Sequence, residues 1–232
     1  MYYKSKRRKS DYNKEYIKGG YCHLFLYKLL NKLNEGCMQF RLYIYKINKW
    51  GYIMENKIAV IYKSKYGATK RYAGWIALKL DADLYEVSDI RRKDLKAYDT
   101  IIYGGPLYIG KIKGIKFIIN NYEYIKDQKL SVFMVGMREF DEDYINSILE
   151  DNIPKQVINN IKTFYFRGKM NYQELSLKDK ILMTGLRVSI SNKKQSDISN
   201  DEKMILEVID KPIDYIDKKS IDILLNNVSS NG

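Results

Sequence analysis

The sequence predicts an α/β protein built on a doubly wound, five-stranded parallel sheet. Continuously apolar, β-branched runs such as Ile58 to Tyr62 recur along the chain, as strands buried on both faces require. Segments with apolar residues at three- and four-residue spacing alternate with those runs. Such alternation implies right-handed crossovers that place helices on both faces of the sheet.

The elements follow in order. Ile58 to Tyr62 is the first strand, and Ala73, Ile76, Ala77 and Leu80 mark one face of the helix after it. Ala82 to Val87 is the second strand and Asp99 to Tyr103 the third, closed by the turn-rich Gly104-Gly105-Pro106. Lys113 to Lys126 is helical, with Ile115, Ile118, Ile119, Tyr122 and Ile125 in register. Leu130 to Val135 is the fourth strand. Asp141 to Asn160 is a helix pattern interrupted near Pro154, since proline has no N–H to donate. Lys162 to Phe166 is the fifth strand. Asp217 to Asn227 is the closing helix, with Asp217 as its cap and Ile221, Leu224 and Leu225 on one face. No internal repeat is visible.

The first strand-to-helix junction carries the clearest chemistry. Ser64-Lys65-Tyr66-Gly67-Ala68-Thr69 breaks the apolar run with two hydroxyls and a glycine just before the helix. Free N–H groups and the helix dipole favour a phosphate there; the Ser64 and Thr69 hydroxyls complete its coordination, and Gly67 allows close backbone approach. Val60, Ile61, Tyr62, Ser64, Gly67, Thr69, Ala73 and Ile76 together resemble the flavodoxin signature. That resemblance implies the flavodoxin-like strand order 2-1-3-4-5 and FMN as cofactor. In such sheets ligands sit at the carboxyl ends of the strands where the order reverses, so the loops after the first and third strands meet there. The resemblance also implies that Gly104 and Gly105 leave room for the isoalloxazine ring, that backbone amides around Pro106 and Leu107 meet its polar edge, and that Tyr108 stacks on it. Met137 and Arg138 follow the fourth strand, where this fold supplies another flavin loop. Arg138 reads equally as a stabiliser of anionic reduced flavin or as a solvated charge.

Other nucleotide readings fit less well. Gly105 to Lys111 nearly spells a P-loop, but the next residue is Ile112, which has no hydroxyl for magnesium, and Pro106 removes a backbone donor. A dinucleotide site needs several glycines in the first turn, where Gly67 stands alone.

Composition narrows the chemistry further. Of the net charge of +13, the residues before Met54 hold 12 Lys and Arg against 3 Asp and Glu, a net of +9 that leaves +4 for Met54 to Gly232. Part of this basicity is what the codon bias of an A/T-rich genome would produce. Both cysteines, Cys22 and Cys37, and the single histidine, His23, precede Met54. The body therefore has no Cys- or His-based catalytic site, and the flavin must carry the chemistry, with no catalytic side chain assigned. Residues 1–53 read as a basic extension, either a disordered tail or a mis-assigned start, in preference to an arm for nucleic acid or anionic lipid. Tyr21 to Leu33 would form a short amphipathic helix in the arm reading. No nucleic-acid partner is expected, no run is long enough to span a bilayer, and no clean secretory signal is seen. A cytoplasmic protein is expected, with a contact at the inner face of the membrane as an extension of that reading.

The segment after the fifth strand separates flavodoxin-type families. Phe166 to Tyr172 leads into Leu175 to Met183, a basic and apolar insert before the final helix. This is similar to the insert of the quinone-dependent protoporphyrinogen IX oxidases. Leu177, Ile181, Leu182 and Leu186 can share a helical face edged by Lys178, Lys180 and Arg187, and either rest on an anionic membrane or cover the sheet edge. The resemblance implies oxidation of protoporphyrinogen with menaquinone as acceptor, hence porphyrinogen and quinone partners. The alternative is a flavodoxin-type electron carrier docking on a redox partner protein, for which a basic body is poorly suited.

Overall fold

In the computed structural model, which describes residues 46–47, 53–54 and 56–230, five parallel strands form one sheet. They are β1 (Ile58–Tyr62), β2 (Asp83–Glu86), β3 (Thr100–Tyr108), β4 (Lys129–Gly136) and β5 (Ile161–Arg167). Their order is β2-β1-β3-β4-β5, the flavodoxin-like arrangement. Register runs from Ile58↔Thr100 across β1 and β3 to Gly136↔Arg167 across β4 and β5. The chain divides into two units, Met1–Ile44 and Tyr45–Gly232. The first lies outside the described residues, as do the Tyr21–Leu33 helix and both cysteines. In the second, Lys46–Ile47 pairs antiparallel with Ile53–Met54 ahead of the sheet.

The pleat divides each strand between two cores. On one face Ala59, Ile61, Ile101, Tyr103, Val132 and Met134 pack against α2 (Lys116–Ile125) and α3 (Glu142–Asn152). On the other, Val60, Ile102, Phe133, Val135 and Phe166 meet α1 (Ala68–Leu80). Ile221 and Leu224 of the carboxyl-terminal segment complete that side. Burial on both faces is why the central strands β1, β3 and β4 are largely apolar, whereas the edge strand β2 (Asp83–Glu86) is half-exposed and polar.

Three boundaries differ from the sequence expectation. The third strand does not turn at Gly104-Gly105-Pro106: it stays paired with β4 through Pro106↔Val135, then forms a hairpin with Lys111–Ile112. The turn falls at Ile109 and Gly110, both at positive φ (50° and 68°). Helix α2 begins at Lys116 instead of Lys113, after Gly114 at φ 81°. The Tyr103 hydroxyl stands where a Gly114 Cβ would project, so only glycine fits both the angle and the space. The closing helix begins as a 3-10 turn, Lys218–Ile221, capped by Asp217 accepting from the Lys219 N–H at 2.9 Å.

The insert is a folded unit of its own. Lys169–Met170 pairs antiparallel with Ile213–Asp214, and between them lie α4 (Leu177–Ser191) and α5 (Asn200–Asp210). A third cluster of Leu175, Met183, Val208 and Ile213 holds these elements together, with Tyr66 and Met137 of the sheet loops packed against it. The closing helix α6 spans Asp222–Ser230. Among the described residues no helix is long and apolar enough to cross a membrane.

Candidate functional site

The first cofactor loop starts where β1 ends. Lys63 donates its N–H to the Gly104 carbonyl at 2.9 Å, which ties the loop after β1 to β3 at the point where strand order reverses. The chain then turns through Gly67, at φ 86°, into the first residues of α1. The Ser64 hydroxyl accepts from the Gly67 N–H at 3.2 Å and the Lys70 N–H at 3.4 Å, so it shapes the loop around the helix N-terminus. Thr69 is 1% exposed and borders the same cavity.

That cavity is open to solvent at its mouth and is walled by both cofactor loops and by the insert. Of the residues that the sequence points to, Ser64, Lys65, Tyr66, Ala68, Thr69, Pro106, Leu107, Tyr108 and Met137 line it. Four do not. Gly67 supplies a backbone angle, and a Cβ there would meet nothing within 4 Å. Gly104 does not leave space for a ligand ring, because the Phe133 ring occupies it: a Cβ would come within 2.6 Å of both Cε atoms. Gly105 faces the Lys113 carbonyl, 2.8 Å from where its Cβ would be. Arg138 is not part of the lining: it pairs with Asp201 at 2.8 Å, half-exposed, and lies over the Tyr144 ring at 3.9 Å.

The remaining wall comes from residues that the sequence did not assign to the cofactor site, although Leu182 belongs to the apolar face of the insert that the sequence pointed to. Val135 and Gly136 end β4, Gly168 and Met170 open the insert, and Leu175, Asp179, Leu182 and Met183 belong to α4 or its approach. A glycine at the carboxyl end of a central strand was a legible cue for Gly136. Asp179 had a misleading one: Ser176-Leu177-Lys178-Asp179 reads as a helix capping box. Half of that box forms, since Ser176 Oγ accepts from the Asp179 N–H at 3.3 Å. The reciprocal half does not, because the Ser176 N–H donates to the Tyr66 hydroxyl at 3.2 Å, and the Asp179 carboxylate points elsewhere.

It points to the two cofactor loops. Asp179, 4% exposed, accepts from the hydroxyls of Tyr66 and Tyr108, the latter at 2.6 Å, and pairs with Lys65 Nζ at 2.6 Å. The Lys65 ammonium also lies 3.9 Å above the Tyr108 ring. Burial by itself raises the Asp179 carboxyl, but the bonds from Lys65, Tyr108 and Tyr66 outweigh it and hold the group well below the usual carboxylate range. Partial burial pulls the Lys65 ammonium down, yet its bond to Asp179 leaves it above the ordinary lysine value. The bond to Asp179 also pushes the Tyr108 hydroxyl up.

The loop after β1 fits FMN: the Ser64 and Thr69 hydroxyls lie at a helix N-terminus, as a phosphate site requires, while the Lys65 ammonium is committed to Asp179. The Pro106, Leu107, Val135, Met137, Leu182 and Met183 side chains offer the apolar wall that a flat ring needs.

Several solved structures are similar to part of this chain. Flavodoxin 2 from Bacillus cereus is 22% identical, covering 48% of this chain and 84% of that one, with a TM-score of 0.38. A flavodoxin, WrbA-like protein from Agrobacterium tumefaciens is 19% identical over 53% of this chain and 87% of that one, with a TM-score of 0.34. An archaeal flavodoxin is 14% identical over 66% of this chain and 96% of that one, with a TM-score of 0.35. No curated protein matches. The family model of the flavodoxin domain matches residues 59–198, more than half of the chain and all of the cavity's lining. The chain belongs to the flavodoxin domain family, whose cofactor is FMN.

Proposed function

We propose that this protein is an FMN-dependent oxidoreductase that removes hydrogens from a lipophilic donor, protoporphyrinogen IX or a related porphyrinogen, and passes them to a quinone. The observation that carries the proposal is the two-sidedness of α4. Leu182 and Met183 line the cavity, while Leu177, Ile181 and Val188 point outward, 75%, 65% and 58% exposed. At 100° per residue these three fall on one stripe opposite the buried Asp179, Met183 and Ile190, with Lys178 and Lys180 at its edges. The face does not cover the sheet edge. An apolar stripe edged by cations suits the inner surface of an anionic membrane, where quinones dissolve.

FMN, when bound, supplies the electron transfer. The chain's part is to hold its phosphate with Ser64, Thr69 and the N-terminus of α1, to exclude water with the methionine and leucine wall, and to bring lipophilic partners to the cavity mouth. For each pair of hydrogens taken from the porphyrinogen, one quinone leaves as quinol. Under anaerobic conditions, protoporphyrinogen IX should bleach the flavin absorbance and a menaquinone analogue should restore it. Replacing Leu177, Ile181 and Val188 by serine should slow both without lowering FMN content, and should weaken flotation with anionic vesicles. If neither compound changes the spectrum while a low-potential iron–sulfur protein does, the protein is an electron carrier instead.

A further inference from the structure

The polar attachments of α4 have an uneven distribution. Lys180 bonds the Gln173 carbonyl, Thr184 meets the Tyr172 hydroxyl and Arg187 pairs with Asp210, so all three stay inside the insert. Among the described residues, the hydrogen bonds and ion pairs that run from α4 itself to the cofactor loops all end on one carboxylate, Asp179. Its partners come from both sides of the switch point, Lys65 and Tyr66 after β1 and Tyr108 at the end of β3.

We propose that Asp179 is a positioning residue that latches α4 over the FMN site by bridging the two cofactor loops, and thereby sets how fast the cofactor leaves. The proposal rests on FMN occupying this cavity, and not on the identity of donor or acceptor. Geometry supports a latch over an ordinary surface ion pair. The carboxylate is buried, both of its oxygens are used, and the Tyr66 hydroxyl has taken its place at the Ser176 N–H, leaving it committed to the loops. Removing its charge leaves Lys65 without its anion and both phenols with a weaker acceptor, while Leu175 and Met183 still pack α4 onto α5. The cover should therefore loosen without the sheet unfolding.

The test uses the full chain and its Asp179→Asn variant, with Tyr108→Phe as a milder second variant should the first fold poorly. FMN release, followed by recovery of flavin fluorescence on dilution, should be about tenfold or more faster in Asp179→Asn. In Tyr108→Phe it should be faster by a smaller factor. Iodide should quench the fluorescence of the bound flavin more strongly in both. Hydrogen exchange in the flavin-free protein should rise in residues 177–191 and stay unchanged in β3 and β4. In a double-mutant cycle, Lys65→Met should add little to Asp179→Asn, because both open the same bridge. Unchanged release and exchange in both variants would overturn the latch, and slower release would show Asp179 to be a competitor of the phosphate. A wild-type chain that retained no FMN would overturn the cofactor reading, while the exchange comparison would still decide whether Asp179 holds α4.

Discussion

Gly104→Ala separates packing from cofactor binding at the centre of the sheet. The added Cβ would lie 2.5 and 2.6 Å from the two Cε atoms of Phe133, whose ring is fully buried between β3, β4 and β5 and cannot swing into solvent. Contacts this short force the ring off its rotamer or the strands apart. Overpacking of this kind costs about 1–3 kcal/mol, and the upper end applies because the whole ring faces the new methyl group. For a domain of this size each kcal/mol lowers Tm by about 2–4 °C, so a fall of roughly 6–12 °C is expected. Thermal unfolding of the FMN-loaded and FMN-free proteins should show similar losses, since the strain lies inside the sheet and not against the ligand. Phe133→Leu in the same chain should restore part of the stability, because it removes the ring atoms that clash. A Gly104→Ala protein of normal Tm that failed to hold FMN would refute this reasoning and return the glycine to the flavin ring.

Ser64→Ala and Thr69→Ala should each weaken FMN by roughly 1.5–3 kcal/mol and riboflavin by much less; equal losses for the two ligands in titrations of apoprotein would mean that neither hydroxyl meets phosphate. The Asp179 carboxyl is depressed in the folded chain, so its stabilising contribution is complete above the ordinary Asp range near pH 4 and is lost only as pH falls further. Hydrogen-exchange protection of residues 177–191 in the flavin-free protein, corrected for the intrinsic exchange rate, should accordingly be flat from about pH 5 to pH 8, and a midpoint within that window would contradict the assignment. Burial raises the Tyr103 hydroxyl, which is neutral when folded, so its contribution holds below the ordinary tyrosine value near pH 10 and declines above it. Tyr103→Phe should flatten the alkaline arm of a stability–pH curve. Deleting residues 1–53 removes the partner strand of Met54, yet the main sheet's backbone bonding starts at Lys57, whose carbonyl accepts from the Asp99 N–H at 2.9 Å, so a soluble yellow protein is expected. Colourless or aggregated material would show that the extension is required.

The amino-acid pattern by itself determined the sheet. Apolar runs for the central strands β1, β3 and β4, alternating with helical spacing, admit little else, because a strand buried on both faces must be largely apolar and a parallel neighbour needs a crossover; the edge strands β2 and β5 are more polar and less buried. It also marked the loop after β1 as a candidate phosphate cradle, because Ser64, Gly67 and Thr69 lie a few residues apart at a strand-to-helix junction. Boundaries governed by long-range contact were not legible. Whether β3 ends at Tyr103 or at Tyr108 depends on pairing with β4 and with Lys111–Ile112, and the purpose of Gly104 depends on where Phe133 points, 29 positions further on. The α5 helix carried a local signal, the Ser199 and Glu202 capping box, although its apolar face has meaning only against α4. Asp179 marks the limit most clearly. In sequence it completes a cap motif, 113 residues from Tyr66 and 71 from Tyr108. Only the docking of α4 across the two loops brings those hydroxyls and Lys65 to it, and a buried carboxylate keeps its charge there because they do.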